Sequence, residues 1–173
     1  MRWFTVTEGA FWRSFSVFFL TLPLSMLGWQ ALFGSIEEAG VRPPGLSLPS
    51  FHLTMILTAA FEWILFPVLL AILSSPLGIS RHFAAFMIAR NWGSLLLTLP
   101  YCAIGALSLI GLLNDEVASI ATMILIGLGI RYDILNARWT LKANWSLAIG
   151  VATLAFLLGM VMLVLNNRLL GLV

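Results

Sequence analysis

A glutamate stands alone in the stretch FEWILFPVLL, and the apolar run around Glu62 extends from Phe51 to Leu73. A carboxylate set in hydrocarbon can bind a proton or cation, act as counter-charge to a substrate, or hydrogen-bond a neighbouring helix. Thr58, one turn earlier, falls on the same helix face and can share a hydrogen bond with it. An acidic residue at the centre of an inserted helix costs ~2.5 to 3.5 kcal/mol, whereas each Ile, Leu, Phe or Val between Met55 and Leu73 returns ~0.3 to 0.6 kcal/mol. The segment therefore still inserts, with Glu62 turned toward other helices or a polar cavity. A relay needs a chain of titratable groups. The spans assigned below put no other acid at this depth, so interhelical glue ranks ahead of an ion or proton site at Glu62 and Thr58.

Arg90, in FMIARNWGSLLL, offers a counter-charge. If its helix enters the bilayer near Phe83, Arg90 lies ~10 Å below the surface, within side-chain reach of the depth of Glu62. If the helix enters at Asn91, Arg90 snorkels at the interface. The boundary-like RNWGS, with tryptophan in the aromatic belt, favours the second placement. Arg90, Arg131, Arg138 and Lys142 all gather at the expected inner ends of spans, where a basic pocket can contact an anionic lipid headgroup. For Arg131 no partner is evident, because Asp133 points in another direction from the helix.

Other chemistries lack their residues. No HExxH, GxSxG, phosphate-binding loop or dinucleotide fingerprint occurs, GLG at Gly127 to Gly129 being too little. RYDIL pairs Tyr132 with Asp133 as intramembrane aspartyl proteases do, but no second aspartate completes a dyad. His52 and His82 fall on opposite sides of the expected membrane, and a lone Cys102 has no partner. The sequence therefore predicts no enzyme, no metal site and no cofactor. The basic residues are spread along the chain at a net charge of +2, which excludes a nucleic-acid surface.

These residues must be positioned by a membrane bundle. Of 173 residues, 61% are hydrophobic and 9% charged, and the mean hydropathy is +1.03, usage that no soluble domain shows. Crossing roughly 30 Å of hydrocarbon takes about 20 helical residues. Segments of that kind run at about 14–33, 51–73, 86–113 (or from Asn91), 117–135 and 145–165, which predicts an all-α bundle of five transmembrane helices in a single domain. The first is too long in its apolar part for a signal peptide and is expected to be retained. GSIEEAGVRPPGLSLPS reads as the longest loop. With the N-terminus inside, Arg2, Arg13, Arg81, Arg90, Arg131, Arg138 and Lys142 fall on the inner side and only Arg42 and Arg168 outside, which matches the positive-inside bias. The C-terminus is then outside.

In the fifth span Ala148, Ala152, Ala155 and Gly159 form a stripe of small residues, which lets a second helix approach closely. Packing within the monomer ranks ahead of a dimer contact. Pro23, Pro67 and Pro100 lie inside spans and should bend them. EGAFWRSF, EWILFPVLL, FMIARNW and NARWTL together resemble a group of small five-span proteins of alphaproteobacterial inner membranes. In topology alone the chain is more distantly similar to the Yip family. The resemblance implies a non-catalytic role in the bacterial inner membrane, with lipid, other membrane proteins or a second copy as partners, and it transfers no site residues. The leading expectation is thus an accessory protein that organises other membrane components. The alternative is a small transporter or channel using Glu62, with Thr58, Asn91 or Tyr101 as polar company.

Overall fold

Each helix begins where a side chain can satisfy its first free N–H groups. In the computed structural model, which describes residues 6–172, Thr7 caps α1 (Glu8–Phe15) by accepting from Ala10 N. The chain steps at Ser16, whose hydroxyl donates to Arg13 O, and resumes as α2 (Val17–Glu38). Ser47 and Ser50 cap α3 (Leu48–Ser74) reciprocally, with Pro49 in the first turn, where a missing N–H costs nothing. After a 3-10 turn at Ser80–His82 comes α4 (Phe83–Leu109). Asn114 caps α5 (Asp115–Thr140) and Asn144 caps α6 (Trp145–Leu169). Gly111, at φ 74°, turns the chain between α4 and α5 in a conformation that favours glycine.

Among the described residues the secondary structure is all helical, and five helices are long and apolar enough to cross a membrane, α1 and α2 together forming the first. Several boundaries differ from the sequence reading. The first span begins at Glu8 because Thr7 supplies the cap, and the third starts at Phe83 and stops at Leu109. The fourth continues past Leu135 to Thr140, since its polar last turns find partners inside the bundle. Arg2 lies outside the described residues.

The helices close a ring. The first span packs on the third, the third on the fourth, the fourth on the fifth, the fifth on the second, and the second returns to the first. The main core lies toward the end that carries the 75–82 and 141–144 loops, where Phe66, Leu70, Phe86, Met87, Ala137 and Ala148 are buried together. Trp29, Phe33, Ile36, Phe51 and Leu170 form a second cluster at the other end. Outward faces are strongly apolar, with Phe19, Leu57, Ile64, Ile72, Leu96 and Met123 exposed, as a lipid-facing surface requires. Trp12, Trp139 and Trp145 stand exposed near the first of these ends, in the manner of an interfacial belt.

Glycines set the closest helix crossing. A Cβ on Gly105 of α4 would lie 2.7 Å from Gly28 Cα of α2, and one on Gly28 would overlap the Tyr101 ring. On α2 the crossing lies on a run of small residues, Ser25, Gly28, Ala31 and Ser35, at steps of three and four. The stripe expected in the fifth span is also turned inward: Ala148, Ala152 and Ala155 are buried in the bundle, and Gly159 is the point where Glu62 approaches α6. Its small residues are used in packing within the chain.

Candidate functional site

The ring encloses a partly open cavity of about 280 Å³. Four helices line it: Thr21, Ser25 and Trp29 with Phe18 and Leu22 from α2, Glu62 and Trp63 from α3, Arg90, Ser94 and Thr98 from α4, and Tyr132 and Asp133 from α5. The fifth span closes the side at Gly159, where a Cβ would stand 3.7 Å from Glu62 Oε1. Along α4 the lining runs from Arg90 to Thr98, about 12 Å at the helical rise.

Three charged side chains from three spans line this cavity. Arg90 Nε stands 3.6 Å from Asp133 Oδ1, and its guanidinium lies over the Phe66 ring at 4.1 Å from the centroid. Arg90 and Asp133 are each about 10 Å along their helices from the same end of the bundle, and Glu62 is about 18 Å from it. The ion pair thus sits between that end and the lone carboxylate. Glu62 has neither an ion pair within 4.0 Å nor a hydrogen bond to any described residue. One basic group and two acids leave the cavity with one uncompensated negative charge when all three are ionised.

Close approach of the fourth span depends on Gly93. A Cβ there would overlap Tyr132 Oη, so only glycine lets the phenol pass over α4 to donate to Ala89 O at 2.7 Å. That bond holds the start of the Tyr132 and Asp133 segment against Arg90. Trp63 packs on Phe18 with ring centroids 5.6 Å apart, and its buried Nε1 has no hydrogen-bond partner among the described residues. Arg90 Nε is in the same condition, since 3.6 Å exceeds hydrogen-bond range.

Several expectations are corrected by this geometry. Arg90 does not snorkel at a boundary, because the helix begins a full two turns earlier and turns the guanidinium into the bundle. An acid does accompany Glu62 around the cavity: Asp133, whose partner is Arg90 and not Arg131. Thr58 does not bond Glu62; its hydroxyl donates to Asn166 Oδ1 of α6 at 2.6 Å and reaches the Thr54 carbonyl at 2.9 Å. Asn91 is also absent from the cavity, donating to Ser14 Oγ at 3.0 Å and tying α1 to α4. Tyr101 packs on Gly28 and lines a separate groove.

The four basic residues read as a headgroup pocket are not brought together. Arg138 donates to the Ala143 carbonyl at 2.6 Å and stacks over Trp145, which organises the α5–α6 loop. Arg131 and Lys142 are exposed, and Arg90 is taken by the cavity. Sequence reasoning missed Asp133, Tyr132, Ser94, Thr98, Thr21 and Ser25. One local signal pointed to Asp133: residues two apart on a helix project about 200° apart, so an exposed Arg131 directs Asp133 inward. No protein-family model, curated protein or solved structure matches this chain.

Proposed function

We propose that this protein is a small multi-pass membrane transporter in which Glu62 is the proton or cation site. The observation that carries the reading is the cavity itself, where a mid-helix carboxylate without a protein partner faces hydroxyls and an ion pair from other spans. Glue between helices predicts instead a dry contact with a bonded partner, which Glu62 lacks. The other reading, an organising role, rests on small loops, the lack of a chemistry-bearing motif and the small-residue stripe of the fifth span; of these, the stripe is used in packing within the chain, and the cavity brings charged groups together. Intramembrane ionisable groups are expensive and mark ion or substrate pathways by default.

In this reading the end bearing Arg13, Arg81, Arg138 and Lys142 faces the cytoplasm, in agreement with the positive-inside rule. The other end bears Glu37, Glu38, Asp115 and Glu116 with Arg42, which pairs with Glu37 and donates to Leu46 O. The orientation is checked by replacing Cys102 with Ala and introducing Asn167→Cys in intact bacterial cells. A membrane-impermeant maleimide is expected to label residue 167 from outside, and labelling only after the cytoplasm is opened would reverse the topology.

Transport is checked in proteoliposomes holding a pH-sensitive dye. Wild-type protein is expected to dissipate an imposed pH gradient, and Glu62→Gln to reduce the rate about tenfold or more, the effect of ~1.4 kcal/mol on a barrier. Gln keeps the shape and most of the hydrogen bonding while removing the charge. Equal rates in the two proteins, or no flux in either, would refute the relay.

A further inference from the structure

Resting on the reading of Glu62 as a cation site, we infer that the cavity takes a small organic ammonium cation. Three observations lead to that class. Glu62 is the uncompensated charge, because Asp133 already faces Arg90 at 3.6 Å. The wall beside it is aromatic: Trp63 and Phe18 stand 5.6 Å apart, and Trp29 closes the same cavity. Aromatic faces attract cations through the ring quadrupole, and cages of such rings suit ammonium groups that carry apolar carbon. The volume of about 280 Å³ is far larger than a bare ion needs and lies near the lower edge of small-molecule sites.

Competing ligands fit less well. An anion meets a cavity in which the one guanidinium, Arg90, already faces Asp133 at 3.6 Å and Glu62 leaves the balance negative. For an inorganic divalent cation the donors do not converge: among the described residues no three His, Cys, Asp or Glu side chains lie close enough to hold a metal. Ser25, Ser94, Thr98 and Thr21 add hydroxyl acceptors along the wall, which can receive the N–H groups of a primary amine, whereas a quaternary head is held by Glu62 and the aromatic wall alone. The ligand's charge and a proton compete for one carboxylate. Arg90, Asp133 and Tyr132 are the other charged or titratable groups facing the cavity, while α2 and α6 contribute none to it.

Isothermal titration of the full chain in an uncharged maltoside detergent, with tetramethylammonium chloride as the probe, tests the assignment. Saturable one-site binding is expected, weakening as pH falls and Glu62 takes up a proton. Glu62→Gln should abolish it, Glu62→Asp should retain it, and Trp63→Leu should weaken it roughly fivefold, with unchanged helical circular dichroism in every variant. Sodium acetate should give no saturable heat. Binding of sodium or acetate in place of tetramethylammonium, or tetramethylammonium binding indifferent to Glu62→Gln, would overturn the assignment. Intact Glu62-dependent proton flux without tetramethylammonium binding overturns the ligand class and leaves the relay standing. Binding without flux in any gradient keeps the ligand and removes the transport reading.

Discussion

Arg90→Gln is expected to lower the stability of the bundle by about 3 kcal/mol, the lower edge of what removing one partner of a buried ion pair costs. The lower edge applies because the pair is one-fifth exposed, at 21% for each side chain. Without the guanidinium, Asp133 and Glu62 are two carboxylates around one cavity with no cation between them, and the Phe66 face loses its partner. Adding Asp133→Asn should recover most of the loss, because the two amides are neutral and can hydrogen-bond. The single change then costs more than the double, the signature of direct coupling. Unfolding in mixed micelles with increasing SDS, followed by circular dichroism, measures all three proteins. A midpoint for Arg90→Gln equal to that of the wild type would mean that the arginine is solvated at the membrane surface, as the boundary-like RNWGS suggests from sequence alone.

A comparable loss, about 3 kcal/mol, is expected from the addition of a single methyl group in Gly105→Ala. Overpacking costs typically about 1 to 3 kcal/mol, and the upper end applies because the obstacle is backbone. The new Cβ would lie 2.7 Å from Gly28 Cα and 2.9 Å from Gly28 N, so α2 and α4 must separate along their whole crossing to relieve it. Separation also draws α2 from the cavity wall that it shares with Ser94 and Thr98. Gly127→Ala is the control, since nothing lies within 4 Å of its Cβ position. There the same change should be neutral or stabilising by about 0.5 to 1 kcal/mol, through helix propensity. Equal unfolding midpoints for Gly105→Ala and the wild type would show that the α2–α4 crossing is looser than this geometry.

Much of the architecture was legible in the chain because insertion is a local property. Each span is a run of about 20 apolar residues, and its energy adds residue by residue. The longest loop announced itself in the same way, through the prolines and glycines of GSIEEAGVRPPGLSLPS. Glu62 was recognisable as an interior carboxylate from the cost of exposing it to lipid. The boundaries were less legible: Leu135 looks like an end because polar residues follow it, whereas those residues find partners in the bundle and the helix runs on to Thr140.

What the tertiary structure alone decided is which faces meet. Arg90 and Asp133 are separated by α4's remaining turns, a loop and most of α5, and no periodicity links two residues that far apart. Hydropathy registers only that each is polar. Likewise Thr58 shares a face with Glu62 by helical spacing, yet Asn166, on α6, captures its hydroxyl. Gly93 and Gly105 looked like ordinary span glycines until Tyr132 and Gly28 arrived beside them. Lipid solvates every apolar face of a helix about equally, so hydrophobicity chooses the spans but cannot rank their neighbours. That choice falls to close packing at small residues and to the pairing of the few polar groups, and both exist only once the ring has closed.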